Sequence, residues 1–263
     1  MKKIKILGAS FILLIIILSA CSKPSSDDLI VVSQQTGVID TNCYLLYDQQ
    51  SKKAALIDPG DTIPALLAHI ENEQLELQYI LITHCHPDHI FGFHTMHLRD
   101  RFPEAKVVYS VEECEDMFKI VAKWKESYPD EVSNGIQNSP VFLKLFSMDY
   151  ETIGKPDIYV EDQQKLQLGD FEIMALKTPG HARGSICYHV QNFLFSGDEL
   201  MYHAVGGTKT SPISSFEAQV KSLRRLYSEL PDETIVYPGH GKTTTIGEEK
   251  TQNKNITLSK AIQ

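Results

Sequence analysis

The chain has 263 residues, of which 42% are hydrophobic and 22% charged, and its formal net charge is −9. This composition excludes a chain that is disordered throughout, and five cysteines in a chain of this length do not make a disulfide scaffold. The acidic balance, with no basic stripe, argues against a nucleic-acid partner and against binding to an anionic lipid surface by charge alone.

Residues 1–20 have the three-part pattern of a secretory signal. Three lysines precede an apolar run from Ile6 to Leu18, which is shorter than the about 20 apolar residues that a transmembrane helix needs. The run ends in Leu18-Ser19-Ala20-Cys21, which resembles the lipobox of bacterial lipoproteins. In that family the cysteine is lipidated and the chain is cut just before it. An ordinary cleaved signal or an uncleaved short anchor is the alternative.

We therefore expect a lipoprotein signal peptide over 1–20, lipidation at Cys21 and a polar, flexible tether over 21–28. The remaining residues, 29–263, are expected to form one domain. Acyl chains on Cys21 would hold this domain at the extracytoplasmic face of a bacterial cell membrane, so the membrane is an expected partner through the lipid anchor.

The first half of the domain is predicted to begin with strands and to continue with alternating helices and strands. The expected elements are strands at 29–32, 43–47 and 54–57, a helix capped by Asp61 or Thr62, a strand at 79–83, a helix over 90–101, a strand at 105–109 and a helix over 111–125.

The pattern weakens between about 126 and 156, where proline and glycine interrupt it repeatedly. An irregular insert of this length inside a compact domain is typical of a functional loop or lid. Order returns with strand-like runs at 166–168, 171–176, 185–190 and 193–196, with Gly169-Asp170 as a hairpin signal. Residues 214–217 read as a capping box before a helix, and a last strand is expected over 234–237.

Three histidines and an aspartate are concentrated in Thr83-His84-Cys85-His86-Pro87-Asp88-His89, directly after a buried-type strand. Imidazole nitrogens and carboxylate oxygens are ligands that suit zinc, and also iron or manganese. A tight loop can turn His84 and His86 towards one point, and Asp88 and His89 towards a second point a few ångströms away. The alternative, a solvated polar loop, does not explain four candidate ligands within six residues.

The segment His84-Cys85-His86-Pro87-Asp88-His89 resembles the HxHxDH motif of the metallo-β-lactamase-fold hydrolases. Three further motifs of that family follow in order: Thr178-Pro179-Gly180-His181, Ser196-Gly197-Asp198 and Tyr237-Pro238-Gly239-His240-Gly241. The resemblance covers about 29–250. It implies an α/β fold, a four-layer αββα sandwich in which two sheets lie face to face with helices outside.

The resemblance also implies a ligand set. Asp58 matches a family position that braces the metal loop, and the side chain of Cys85 is expected to point away from the metals. The other histidines are not accompanied by further candidate ligands and are expected to be surface or packing residues. By resemblance, His84, His86 and His181 hold a first metal ion, Asp88, His89 and His240 hold a second, and Asp198 bridges the two.

The expected cofactor is a pair of divalent zinc ions, with iron or manganese as alternatives. Two such ions would lower the pKa of a shared water towards neutrality and so supply a nucleophile. The resemblance implies that Asp88 orients this nucleophile or carries its proton. No serine or cysteine nucleophile is needed.

The arrangement is most similar to the glyoxalase II-like branch, which hydrolyses thioesters such as S-acyl-glutathione. Three departures separate the chain from that branch. The chain ends soon after His240, without the helical domain that supplies much of the glutathione binding, no arginine stands near Gly207, and the insert at 126–156 is longer than in compact relatives. The sequence therefore predicts a metal-dependent hydrolase of a small molecule, with a thioester or ester as the expected substrate class.

Three other interpretations share the fold. A mononuclear iron sulfur dioxygenase would use only ligands of the His84, His181 and Asp198 type, and the presence of Asp88 and His240 favours two metals. A non-enzymatic surface-binding lipoprotein would have no need of all seven ligands. A β-lactamase is disfavoured because a bridging aspartate in this motif is typical of the other branches.

Overall fold

The structure is a computed structural model that describes residues 26–110, 147–148, 150–208 and 214–257. The signal peptide, Cys21, the helix predicted over 111–125 and most of the insert at 126–156 lie outside these residues. Within the described part of the chain, no helix combines the length and the apolar character needed to cross a membrane.

The first sheet has six strands, arranged in space in chain order. The first three pair antiparallel and the last three are added in parallel, which agrees with the predicted change from strands alone to alternating strands and helices. The strands are β1 (Leu29–Thr36), β2 (Thr41–Asp48), β3 (Lys53–Ile57), β4 (Glu76–Leu81), β5 (Lys106–Tyr109) and β6 (Ile158–Tyr159).

The second sheet also has six strands, and their spatial order is again the chain order. The hairpin predicted at Gly169-Asp170 is confirmed, because Leu168 pairs directly with Phe171 across it. The strands are β7 (Gln164–Leu168), β8 (Phe171–Lys177), β9 (Ile186–Val190), β10 (Phe193–Gly197), β11 (Ile235–Pro238) and β12 (Thr244–Thr245). Only β10 and β11 pair in parallel within this sheet.

The helices of the described residues are short, apart from one of fourteen residues. The last two, α5 and α6, follow β10 and β12 of the second sheet. The helices are α1 (Pro64–Asn72), α2 (Pro87–Ile90), α3 (Gly92–Met96), α4 (Leu98–Arg101), α5 (Phe216–Glu229) and α6 (Ile246–Gln252), with 3-10 turns at Ser26–Asp28 and Tyr150–Ile153.

Three hydrophobic clusters define four layers. The central cluster joins residues of both sheets, such as Leu46 and Ile57 from the first with Phe171 and Tyr188 from the second. A second cluster packs α1–α4 on the outside of the first sheet, and a third packs α5 and α6 on the outside of the second. Because each sheet buries both faces, its strands carry long apolar runs. The predicted αββα sandwich is confirmed.

Some local predictions were wrong. The helix expected over 90–101 is divided into α3 and α4, because His97 adopts a left-handed conformation with φ 47° that no α-helix continues through. Helix α5 is capped by Ser215, which accepts from Ala218 N at 3.2 Å, and not by the box expected at 214–217. Helix α1 follows Ile63 without a side-chain cap, so neither Asp61 nor Thr62 caps it.

Gly60 lies where the chain leaving β3 passes under the loop that carries Asp88. A Cβ atom at Gly60 would lie 1.7 Å from the backbone oxygen of Asp88, so no side chain fits without moving that loop. We expect Gly60→Ala to lower the free energy of unfolding by about 1–3 kcal/mol or more, since overpacking against backbone is not relieved by a rotamer change. Urea unfolding measures the change.

Gly207→Ala is the matched control for this substitution, because a Cβ there would meet nothing within 4 Å. Equal unfolding midpoints for Gly60→Ala and the wild type would contradict the contact.

Candidate metal centre

The seven predicted ligands all follow the carboxyl ends of strands, at one edge of the sandwich. His84 and His86 come directly after β4, and α2 then carries Asp88 and His89. In the second sheet β8, β10 and β11 run in the same direction, so their carboxyl ends meet at one edge. The loops after these three strands carry His181, Asp198 and His240.

Three histidines form the first group. His84 Nε2 lies 3.0 Å from His86 Nδ1, and His181 Nε2 lies 2.9 Å from the same His86 nitrogen. His84 and His181 are buried, and His86 is partly buried. The structure therefore brings together the residues predicted for the first metal, although His181 is separated from the others by almost a hundred positions.

Asp88, His89 and His240 form the second group. Asp88 Oδ2 lies 3.2 Å from His89 Nε2 and 3.2 Å from His240 Nε2. These residues are likewise the ones that were predicted together.

The Asp198 carboxylate lies between the two groups. Its Oδ1 is 3.5 Å from His89 Nε2, while its Oδ2 is 3.7 Å from both His181 Nε2 and His240 Nε2. The sets of candidate ligand atoms that lie within 4.8 Å of one another therefore overlap. They are His84 with His86 and His181, His84 with His89 and Asp198, and Asp88 with His89 and His240.

The spacing of these atoms fits divalent ions. Two atoms bound tetrahedrally to one zinc at about 2.0–2.1 Å lie about 3.3 Å from each other, and the separations within each group are 2.9–3.2 Å. His89 Nε2 and Asp198 Oδ1 are buried and have no hydrogen-bond partner. Buried polar atoms are rarely left unsatisfied, and a cation held by these residues would satisfy both atoms.

The other ring nitrogen of each of four histidines faces an acceptor. His89 Nδ1 is 3.0 Å from Asp58 Oδ2, and His84 Nδ1 is 3.1 Å from Thr83 Oγ1. His181 Nδ1 is 2.9 Å from the Gly207 carbonyl, and His240 Nδ1 is 3.1 Å from that of Ile39. A proton on each Nδ1 leaves the Nε2 lone pair free to face the centre, as in histidines that bind metals.

Burial adjusts the charges of these groups. Desolvation holds the pKa of His84 well below its usual value and lowers the pKa of His86 to about 4, with help from the neighbouring rings. Both imidazoles are therefore neutral at pH 7, which is the form that binds a metal. Burial opposes the charge on Asp88, but His89 and His240 outweigh it and hold the pKa of Asp88 well below the usual range.

The carboxyl of Glu199, next to Asp198, was missed by the sequence analysis. It accepts a hydrogen bond from the His181 backbone N–H at 3.0 Å, and burial raises its pKa to about 8. Nothing in the motif pattern marks this residue, because it lies outside the ligand positions.

Polar residues in the first sheet brace the loops. Asp58, expected to act in this way, accepts hydrogen bonds from Thr83 N at 2.8 Å and Thr83 Oγ1 at 2.7 Å, besides its contact with His89. Asn42 Nδ2 donates to the carbonyls of Pro238 at 3.0 Å and Gly241 at 2.8 Å, and so holds the loop that carries His240. Asn42 links the two sheets at the ligand edge.

The remaining sulfur groups lie outside the ligand set. Cys85 is buried in the cluster beneath α1–α4 and is disulfide-bonded, so it is no thiolate ligand. Cys43 and Cys187 are buried free thiols.

His94 was predicted to be a surface or packing residue and not a ligand. Its ring packs against that of Phe91, with the ring centroids 5.4 Å apart, which agrees with this prediction.

The model of the metallo-beta-lactamase superfamily matches residues 36–240, and the chain belongs to this family. The hydroxyacylglutathione hydrolase GloC of Haemophilus influenzae is 32% identical over 216 residues, which cover 81% of this chain and 91% of the relative. Family and relative support a metal-dependent hydrolase that acts on a small molecule.

Two solved structures are similar over most of the chain. BLEG-1, described as a B3 metallo-beta-lactamase, is 32% identical with a TM-score of 0.66, and the match covers 86% of this chain and 98% of BLEG-1. TTHA1623, solved in a di-iron-bound form, is 27% identical with a TM-score of 0.64, and the match covers 85% of this chain and 98% of TTHA1623.

We expect His86→Ala and Asp198→Ala each to lower the metal-to-protein ratio, because each removes a donor from the cluster. Elemental analysis after dialysis against metal-free buffer measures this ratio. His94→Ala, which changes a nearby histidine that packs on Phe91, is the matched control and should retain the wild-type ratio. Unchanged metal content in His86→Ala would refute the assignment of that ligand.

Proposed function

We propose that the protein is a dinuclear metal-dependent hydrolase. The observation that carries this proposal is the position of Asp198, whose two carboxylate oxygens face different histidines. A carboxylate shared in this way suits a pair of cations. The proposed ligands are His84, His86 and His181 for one ion, Asp88, His89 and His240 for the other, and Asp198 for both. Zinc is the proposed metal, with iron and manganese as alternatives because they take the same donors.

When bound, such a pair of ions supplies two effects, a lowered pKa of a shared water and polarisation of the substrate carbonyl. We assign the handling of the proton to Asp88. Its Oδ2 accepts a hydrogen bond from Thr41 Oγ1 at 3.0 Å and lies 3.2 Å from His240 Nε2. The hydroxyl of Thr41 fixes the orientation of the Asp88 carboxylate.

A thioester or ester is the proposed substrate class, and the support for it is the likeness to GloC. A β-lactam is the second candidate, since BLEG-1 has the same identity to this chain and is described as a B3 metallo-beta-lactamase. A substrate panel distinguishes the two, because both require the same centre but different substrate shapes.

We expect the zinc-loaded protein to release thiol from an S-lactoyl thioester and to lose this activity in EDTA. Asp198→Ala should lower kcat/KM at least about 1,000-fold, since metal ions contribute several kcal/mol to such transition states. Asp100→Ala, at an exposed position of α4, is the control and should match the wild type.

Other outcomes of the same screen select the alternatives. Faster turnover of a chromogenic cephalosporin than of thioesters would favour the β-lactam. A content of one iron per chain together with oxygen consumption would indicate a sulfur dioxygenase and contradict the proposed hydrolase. A fully loaded protein inert on ester, thioester, lactone, β-lactam and phosphodiester substrates would indicate a binding protein.

We further propose that the domain is anchored by lipid at Cys21 on the extracytoplasmic face of the membrane. The support is the signal-like pattern of residues 1–20 and the lipobox at 18–21. The disulfide of Cys85 agrees with this location, because disulfides persist in oxidising compartments and are rare in the cytosol.

Cys21→Ser should release the protein from the membrane fraction, because the hydroxyl cannot carry the thioether-linked lipid. Immunoblots of membrane and soluble fractions after a carbonate wash measure the distribution. Ser25→Ala serves as the control and should stay with the membrane. Retention of Cys21→Ser in the washed membrane would count against lipidation.

A further inference from the structure

Four side chains form a stack, and three of them lie in the chain segments that follow Asp198 and His240. Glu248 Oε1 lies 2.8 Å from His203 Nε2, and the His203 ring stacks on Tyr202 with centroids 3.9 Å apart. Lys242 Nζ lies 3.7 Å from the centroid of the Tyr202 ring. The imidazole and the ammonium therefore both contact the Tyr202 ring. A cation–π contact thus holds the ammonium at the end of the stack.

Helix α6 fixes the other end of the stack. Glu248 lies in the first turn of α6, and its backbone N–H donates to Thr245 Oγ1 at 3.1 Å. The buried Glu249 carboxylate accepts the backbone N–H of His203, at 3.0 Å to Oε1 and 3.1 Å to Oε2. Ordered contacts therefore position Tyr202 and Lys242 before any ligand arrives, which lowers the cost of binding one.

The stack adjoins the ligand loops. Lys242 follows His240 by two positions and Tyr202 follows Asp198 by four. Two residues of extended chain span at most about 7 Å, so the Lys242 backbone lies within about 7 Å of the backbone of His240, whose ring faces the candidate centre. Lys242 is exposed and Tyr202 partly exposed, so both are accessible to a substrate.

The charge of Lys242 is available. Among the residues that the structure describes, no carboxylate forms an ion pair with its ammonium, and the ring of Tyr202 is its contact. Arg183, the exposed cation that follows His181, already has an interaction of its own. In a protein with a net charge of −9, a fixed cation at this position counters the general repulsion of anions.

We propose that Lys242, positioned by Tyr202, binds a carboxylate on the substrate, so that the site prefers anionic thioesters or esters to neutral ones. This inference rests on the proposed hydrolase function and specifies its substrate class. The carboxylate accepts hydrogen bonds from the ammonium while the reacting carbonyl lies at the metal centre.

The test uses the zinc-loaded full chain and compares two substrates. One is the lactoyl thioester of 3-mercaptopropionate, and the other is the lactoyl thioester of its uncharged amide. Lys242→Met should raise KM for the anionic thioester about fivefold to tenfold, since a charged hydrogen bond is lost, and should change KM for the amide less than twofold. Lys242→Arg should restore most of the wild-type KM, because guanidinium also binds carboxylate and stacks on tyrosine.

Lys221→Met is the matched control. Lys221 is an exposed lysine on α5 that pairs with Glu217, and its loss should leave both KM values unchanged. Salt should reduce the difference between the two substrates for the wild type, as expected of an exposed charge pair. Equal changes in KM for both thioesters, or no change, would overturn the inference.

Failure of the proposed function gives a separate result. If the wild type hydrolyses neither thioester, calorimetric titration with the unreactive acetonyl thioethers of the same acid and amide takes the place of kinetics. Tighter binding of the acid by the wild type, lost in Lys242→Met, would support the anion site alone. Equal affinities for acid and amide would overturn it.

Discussion

The buried carboxylate of Asp58 holds the metal loop in place. It accepts the backbone N–H and the hydroxyl of Thr83 and contacts Nδ1 of His89. A carboxylate this deep is costly unless such donors surround it. Since the Thr83 hydroxyl donates its proton to Asp58, a lone pair of Thr83 Oγ1 is left to accept a hydrogen bond from His84 Nδ1. One carboxylate at the end of β3 thus orients a histidine in each of the two ligand groups.

Close contact between backbone and ligand side chains adds to this constraint. A Cβ at Gly239 would lie 2.3 Å from Asp198 Oδ1, and one at Gly206 would lie 2.5 Å from His181 Nδ1. Asp198 and His181 are therefore held between segments that only glycine allows to approach. This explains the glycine before His240 in physical terms, because a side chain there would occupy the space of the Asp198 carboxylate, which lies between the two groups.

Apolar runs are local signals, and they predicted most of the strands. The four layers, and the convergence of His181, Asp198 and His240 on the motif at 84–89, were predicted from the resemblance to the metallo-β-lactamase fold. The sequence could not predict the acceptors that orient His181 and His240. Those acceptors are the backbone carbonyls of Gly207 and Ile39. Because every residue carries a backbone carbonyl, the residue type does not show which carbonyl will accept from a histidine. The helical pattern over 90–101 was misleading for a related reason. The pattern does not mark the single left-handed residue, the exposed His97, at which the helix is interrupted.

The stack of Tyr202 and Lys242 depends on the same kind of long-range information. The two residues are forty positions apart in the chain, and they meet because β10 and β11 pair in parallel and end at one edge. His203 beside them has φ 53°, which costs a residue other than glycine about 1–2 kcal/mol. The hydrogen bonds to Glu248 and Glu249 offset this cost. A glycine at 203 would adopt the turn without strain but would leave one face of Tyr202 uncovered, so histidine at this position is consistent with a need to fix the ring and the cation upon it.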